Sequence, residues 1–301
     1  MNETVVKEQK IKRVLILGID ALEYDLVEQW NLQNLKQKEY GKIQLPLQPG
    51  QEPATVIIWP CFITGKEPEE MGYSTVHVFS KPLQFLINIL SPALRKIFVD
   101  EEAENRTEKK QGKQSMLDKM AEIVKKFGLS HSPTRKDIHA QSLFDNKQIQ
   151  SIHLHIPVYD EDGFPEYRSE IAKVIGEKAY QPILELAQKK EFRQRTREVF
   201  KYLKKDNWQL LMQYFYVLDG VQHIYYNNPK KIAEFYLMFD EFVKKVSKEL
   251  GPQTLLLIVS DHGQKKGIHT PYGFYSMNKK MNLNNPKIID FKHEIENILT
   301  K

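Results

Sequence analysis

The chain is short of sulfur, of long apolar runs and of any large excess of one charge. One cysteine, Cys61, stands in 301 residues. It has no partner for an internal disulfide, and thiolate zinc ribbons and thioredoxin-type chemistry are excluded with it. Any bound metal must therefore be held by His, Asp and Glu. No apolar run approaches the roughly 18 residues of a membrane span. The opening stretch, Met1 to Lys12, is polar and charged and does not read as a secretory signal. Lys and Arg number 44 against 39 Asp and Glu, a net charge of +5, with the two signs interspersed. That balance suits a small anionic substrate and makes no case for nucleic-acid binding. The expectation is a soluble cytoplasmic protein with no membrane span. At 301 residues one domain can bury a sizeable core without covalent staples.

What is present is a set of short apolar runs that close on aspartate. Val14 to Asp20 is one, Leu210 to Asp219 another, and Leu255 to Ser260 leads into Asp261-His262-Gly263. Such continuous runs suit strands buried on both faces, as in a parallel sheet. Ile149 to Ile156, closed by Pro157, is a weaker fourth. Helical spacing marks Ala172 to Lys190, Glu191 to Lys205 and Lys230 to Leu250, the last stopped by Gly251-Pro252. The alternation predicts an α/β fold with a mostly parallel sheet sandwiched by helices. Residues 79–134 break the pattern with an apolar stretch, a charged stretch and a helical one. They read as a helical insertion, a cap or lid, within a single domain spanning 1–301.

In an open parallel sheet, ligands bind beyond the carboxyl ends of the strands. Asp20, Asp219 and Asp261 would converge there. His262 adjoins Asp261, and His269 follows after a short loop. His223 lies four residues after Asp219, so a helix starting near Asp219 would put both on one face. A lone Asp at a strand end is often a helix cap, and a lone His is usually structural. Three of each at one edge are harder to explain that way. Carboxylate oxygen with imidazole nitrogen suits zinc, manganese or iron better than calcium or magnesium.

Further motifs appear in a definite order. Gly18-Ile19-Asp20-Ala21 comes first. Thr55 follows, at the head of a segment that ends in Thr64-Gly65, with Pro68 and Gly72 beyond. Asp219-Gly220-Val221-Gln222-His223 is next, then Ser260-Asp261-His262-Gly263, then His269 before Tyr272-Gly273-Phe274-Tyr275. This ordered set, spread over most of the chain, resembles the alkaline phosphatase superfamily in its type I phosphodiesterase/nucleotide pyrophosphatase branch. The resemblance implies a phosphoric ester hydrolase with two divalent metal ions, zinc as first choice and manganese or iron as alternatives. Asp219, His223 and His269 would hold one ion. Asp20, Asp261 and His262 would hold the other, with Thr55 as its reactive ligand and catalytic nucleophile. The bond cleaved would be a phosphodiester or pyrophosphate, in a nucleotide-type substrate among others, through a phosphothreonine.

Two departures bear on substrate. Val56-Ile57-Ile58 stands where the family usually has a proline soon after the threonine. Nucleotide pyrophosphatases carry an asparagine three positions after the threonine, where it helps hold a phosphate oxygen; here that residue is Ile58. Part of the oxyanion stabilisation is absent or comes from another group. A phosphomonoesterase or phosphonate hydrolase on the same site is therefore the alternative, with a non-catalytic metal-binding relative behind it. Trp59, Tyr225 and Lys265 are candidate substrate contacts. Trp59 is by default a packing residue, and Lys265 by default part of a solvated loop. Cys61 lacks the Cys-x-Pro-x-Arg context of a sulfatase and reads as a small buried residue. His153 and His155 alternate on a strand and could approach the site; His77 has no assigned role. His131, His139 and His293 read as surface residues.

Overall fold

The computed structural model describes residues 10–48, 51–72, 133–165 and 178–300. The insertion expected over 79–134 lies outside these residues except for its last two, as do His77 and His131. The strands in chain order are β1 (Arg13–Ile19), β2 (Glu39–Gln44), β3 (Ser151–Leu154), β4 (Leu210–Phe215), β5 (Thr254–Ser260), β6 (Gly263–Lys265), β7 (Ile268–Thr270) and β8 (Tyr272–Met277). Six of them form one sheet in the order β2-β8-β5-β1-β4-β3. β3, β4, β1 and β5 are parallel, while β8 runs antiparallel to both β5 and β2. β4 and β5 are buried along their whole length, and β1 from Val14 onward. Burial on both faces is what suppresses polar alternation in those three sequences.

The helices are α1 (Tyr24–Gln29), α2 (Gln33–Lys36), α3 (Thr55–Thr64), α4 (Gln181–Leu203), α5 (Val217–Ile224), α6 (Pro229–Glu249) and α7 (Asp290–Thr300). They cover both faces of the sheet. Neighbouring strand residues point to opposite sides, and β4 shows the two layers. Tyr214 packs edge-on against Trp59 of α3, whereas Phe215 meets Phe239 and Phe242 of α6. α3 is apolar nearly all round and accordingly buried at nine of its ten positions. α6 starts at Pro229, with the Asn228 side chain accepting from the Lys231 N–H. Its apolar residues recur every three or four positions from Ile232 to Val246 and face the sheet.

Three sequence expectations are corrected here. The run read as a strand through Asp219 leaves the sheet at Phe215, and the chain turns at Tyr216 into α5. An apolar run by itself does not separate a buried strand from the first turn of a buried helix. The segments on either side of Lys190 and Glu191 form one helix of 23 residues. Nothing at the Lys190-Glu191 junction, neither glycine nor proline nor cap, interrupts it, and residues 172–177 of the first segment lie outside the described residues. β3 stops at Leu154, and His155 has φ +60°, so His153 and His155 do not alternate along one strand. His153 bonds Asp160, and His155 lies between Asp162 and Glu198.

The inward side of α4 carries a polar group close to the catalytic edge. Arg195 donates to the Tyr214 carbonyl (2.7 Å) and pairs with Glu191 (2.8 Å). Burial pushes the Glu191 carboxyl up to about 7 in spite of Arg195.

Gly18 sits where β1 passes under Trp59. A Cβ there would lie 2.7 Å from Trp59 Cη2 and 3.3 Å from the Met212 methyl. Gly18→Ala should therefore lower stability by about 1–3 kcal/mol through overpacking. Chemical denaturation measures this, and an unchanged midpoint would contradict the packing of α3 on β1.

Candidate metal centre and nucleophile

Strand register brings the acidic residues together. β1 and β5 pair with Gly18 opposite Val259. Continued two residues, the register sets Asp20 beside Asp261, just past both strands. β4 reaches the same edge with Ile19 opposite Phe215, and α5 then carries Asp219 into the gap. Asp219 and His223 share one face of α5, with His223 Nε2 3.2 Å from Asp219 Oδ1.

His262 and His269 arrive on a hairpin that sequence reasoning treated as a loop. β6 and β7 are joined by Lys266 and Gly267, both at positive φ (51° and 81°), the form that two-residue hairpins favour. The imidazoles of His262 and His269 stack with centroids 4.1 Å apart. Three outer contacts hold the rings. His262 Nδ1 meets the Gly263 carbonyl (3.1 Å), His269 Nδ1 meets the Pro53 carbonyl (3.3 Å), and the Gln264 amide meets His223 Nδ1 (3.1 Å). In His262 and His269 an Nδ1–H donated to a carbonyl leaves Nε2 as the free ligand atom.

Two groups of ligand atoms result. Asp219, His223 and His269 form one, and Asp20, Asp219 and His262 the other, with all atoms of a group within 4.8 Å of one another. Asp219 belongs to both. Asp261, assigned by the resemblance to the second ion, lies against that group with Oδ2 3.5 Å from His262 Nε2. Thr55 opens α3, and its hydroxyl donates to Asp20 Oδ2 (3.3 Å), which also accepts from Tyr214.

The electrostatics call for cations. Asp20, Asp261 and His262 have no exposed surface, and Asp219 is 6% exposed. Asp20 Oδ1, Asp219 Oδ1, both oxygens of Asp261 and His262 Nε2 are buried without a hydrogen-bond partner. Among the described residues no lysine or arginine pairs with these carboxylates. Protonation is the response available to the side chains alone. Burial, reinforced by the Asp20 charge, pushes the Asp261 carboxyl well above its usual range. Burial disfavours charge on His262, yet the carboxylates of Asp261 and Asp20 outweigh it and lift the imidazole to about 10. Burial likewise opposes Asp219 ionisation, but the imidazoles of His223 and His269, 3.2 and 3.6 Å from Oδ1, hold it below the carboxylate range. Asp219 in turn lifts His223 against the pull of burial. Divalent ions would replace those protons and satisfy the orphaned oxygens. The donor set of carboxylates and imidazoles fits two such ions.

The sequence matches the type I phosphodiesterase/nucleotide pyrophosphatase family over residues 14–284. The chain belongs to that family. It is thereby a phosphoric ester hydrolase. Among solved structures, this family member is similar to the PH0037 protein from Pyrococcus horikoshii, at 12% identity over 97% of this chain and 98% of that one (TM-score 0.47). It is also similar to the alkaline phosphatase from the Antarctic bacterium TAB5, at 11% identity over 98% and 99% (TM-score 0.43). Murine ectonucleotide pyrophosphatase/phosphodiesterase 5 matches at 13% identity over 84% of this chain and 57% of its own (TM-score 0.41). Comparison with curated proteins finds no match.

The three candidate substrate contacts of this hydrolase each have partners within the protein. Trp59 has no exposed surface and packs on Phe62, Tyr214 and the backbone of Gly18, so it belongs to the core. The Tyr225 hydroxyl donates to Glu185 of α4 and the Gln181 carbonyl. Lys265 is held by Asp25 on the outer side of the hairpin. Cys61 is buried, and burial pushes its thiol far up, which makes it inert. Two polar residues that sequence reasoning missed shape the site. Tyr214 anchors Asp20. Glu23, fully buried, accepts from Thr270 Oγ1, Tyr272 OH and the Asp25 N–H, and Thr270 Oγ1 accepts from Gly263 N. A Cβ on Gly263 would collide with the Glu23 carboxylate, so only glycine lets the hairpin dock there. A polar glutamate three residues beyond a strand-end aspartate is the one sequence signal that could have found this clamp.

Metal analysis of purified protein tests the grouping. His223→Ala should lose one of two ions, whereas Asp219→Asn should lose both, because its carboxylate serves both groups. The raised Asp261, His223 and His262 values set the sign of the pH dependence. Protons compete for these ligands below their folded pKa values, so zinc affinity should rise with pH and zinc uptake near pH ~7 should release protons. Calorimetric titration in buffers of different ionisation heat reads that release.

Proposed function

We propose that this hydrolase cleaves a phosphodiester or pyrophosphate bond through a phosphothreonine at Thr55, on two divalent ions with zinc as first choice. The observation that carries this reading is the position of Thr55. It opens a helix, is 7% exposed, and points its hydroxyl at an aspartate of the metal-binding group. Bound at these residues, the ions would lower the pKa of the threonine hydroxyl and neutralise charge on the phosphoryl oxygens. Oγ1 of Thr55 attacks phosphorus, and the bond from phosphorus to the leaving oxygen breaks. The hydroxyl proton passes to Asp20 Oδ2 and from there to the leaving oxygen. Water then displaces Oγ1, gives it a proton and returns the threonine. The Ile57 and Ile58 N–H groups close on the Ala54 carbonyl. The remaining donors of the first turn, on Thr55 and Val56, are available to phosphoryl oxygens. A cytoplasmic location belongs to the same proposal; separately, among the described residues no helix is long and apolar enough to cross a membrane.

A second reading is favoured by one residue. Ile58, where nucleotide pyrophosphatases have asparagine, is wholly buried and offers no donor to a phosphate. A phosphomonoesterase or phosphonate hydrolase needs the same metals and the same threonine. Rates on bis-para-nitrophenyl phosphate, para-nitrophenyl phosphate and a phosphonate, each with zinc or manganese, separate the readings. Diester preference supports the first; no turnover of any with metal bound would remove both. Thr55→Ala should cost roughly three orders of magnitude in kcat or more, while zinc content is retained. Thr55→Ala with full activity would dismiss the phosphothreonine.

A further inference from the structure

α4 shows an unusual division of charge. Its buried side carries Leu184, Gln188, Glu191, Phe192, Arg195 and Val199. Its exposed side carries Ile183, Leu186, Lys190, Arg193, Arg197 and Lys201, at steps of three and four residues. They form one line about 27 Å long, at about 1.5 Å per residue. Ile183 and Leu186 are 67% and 65% exposed, with Tyr180 beside them at 46%. The helix has three acidic residues, and none adds to that line. Glu185 pairs with Lys189 and Lys231, Glu191 with Arg195, and Glu198 with His155. The outward line is thus aliphatic at its start and basic for the rest. A cleft of ≈ 440 Å³ opens along the basic part, lined by its four cations with Gln194 and Glu198.

We infer that the exposed face of α4 docks the protein on an anionic phospholipid bilayer. Both halves of the line find their complement there. Lys190, Arg193, Arg197 and Lys201 face the headgroup phosphates, and Ile183 and Leu186 enter the boundary between headgroups and acyl chains. A nucleic acid would match the cations, but it offers nothing to two exposed aliphatic side chains. The inference is independent of the hydrolytic chemistry, since no residue of the line belongs to the metal centre.

Sedimentation of the full chain with vesicles provides the test. Vesicles of phosphatidylcholine alone should leave the protein in the supernatant. Vesicles containing phosphatidylglycerol should pellet it, less so as salt rises. Each cation at an anionic surface is worth roughly a fivefold change in partition. A variant with Lys190, Arg193, Arg197 and Lys201 all changed to Gln should lose several hundred-fold by that constant. Ile183→Ser with Leu186→Ser should lose roughly tenfold or more at unchanged charge. All six positions are solvent-exposed, and matching thermal melts would show that the variants fold. Equal partition on neutral vesicles, no partition on anionic ones, or an undiminished fourfold variant would each overturn the inference. So would tight binding of an oligonucleotide that depends on the four cations and ignores the two aliphatic residues, with no vesicle partition.

Discussion

Three carboxylates withdrawn from water at one edge of a sheet are the constraint on which the site depends. Asp20, Asp219 and Asp261 share a space small enough for two groups of ligand atoms to overlap on Asp219. Like charges so buried cost several kcal/mol each unless a cation or proton offsets them. The imidazoles of His223 and His262, both held above their usual range by the carboxylates beside them, do this in part. The unpartnered oxygens of Asp20, Asp219 and Asp261 are what remain for metal ions. A fold that holds these groups together is built to be completed by divalent cations.

The rest of the architecture supplies that holding power. β1, β4 and β5 are apolar and buried, so their ends are rigid. Their register puts Asp20 and Asp261 side by side without help from any loop. The hairpin of β6 and β7 needs more. It is locked by Glu23 through Thr270 and Tyr272, and by the absence of a side chain on Gly263. Tyr214 fixes Asp20 from β4, and its own carbonyl is held by Arg195 of α4. Thr55 rests on a separate support, the first turn of a helix buried at nearly every position. Thr55 therefore approaches the metal-binding group from a direction that the strands do not set.

Much of this was legible before the fold was known. Continuous apolar runs ending in aspartate identify central parallel strands, because burial on both faces leaves no polar positions. The Asp219 to His223 spacing announces a helical face, and the single cysteine confines metal ligands to Asp, His and Glu. Boundaries were less legible. The strand seemed to extend to Asp219 because an apolar helix turn looks the same in sequence, and two helices were read where one runs through Lys190 and Glu191. Glu23, Tyr214 and Gln264 escaped notice because each acts through a partner distant in sequence. Trp59, Tyr225 and Lys265 stood close to the motifs in sequence, but proximity along the chain says little about where a side chain points.

The sequence alone determined the kinds of ligand and the strands that deliver them. It also determined the order of motifs that places the chain in its family. These follow from local composition and periodicity, which need no knowledge of distant neighbours. Only the tertiary structure decided that Asp219 is common to both groups of ligand atoms, that Glu23 clamps the histidine hairpin, and that every acid of α4 is paired while a line of its cations stays exposed. Those properties belong to pairs of residues up to 249 positions apart. Their energy depends on burial and close approach, which strand register and helix packing create together.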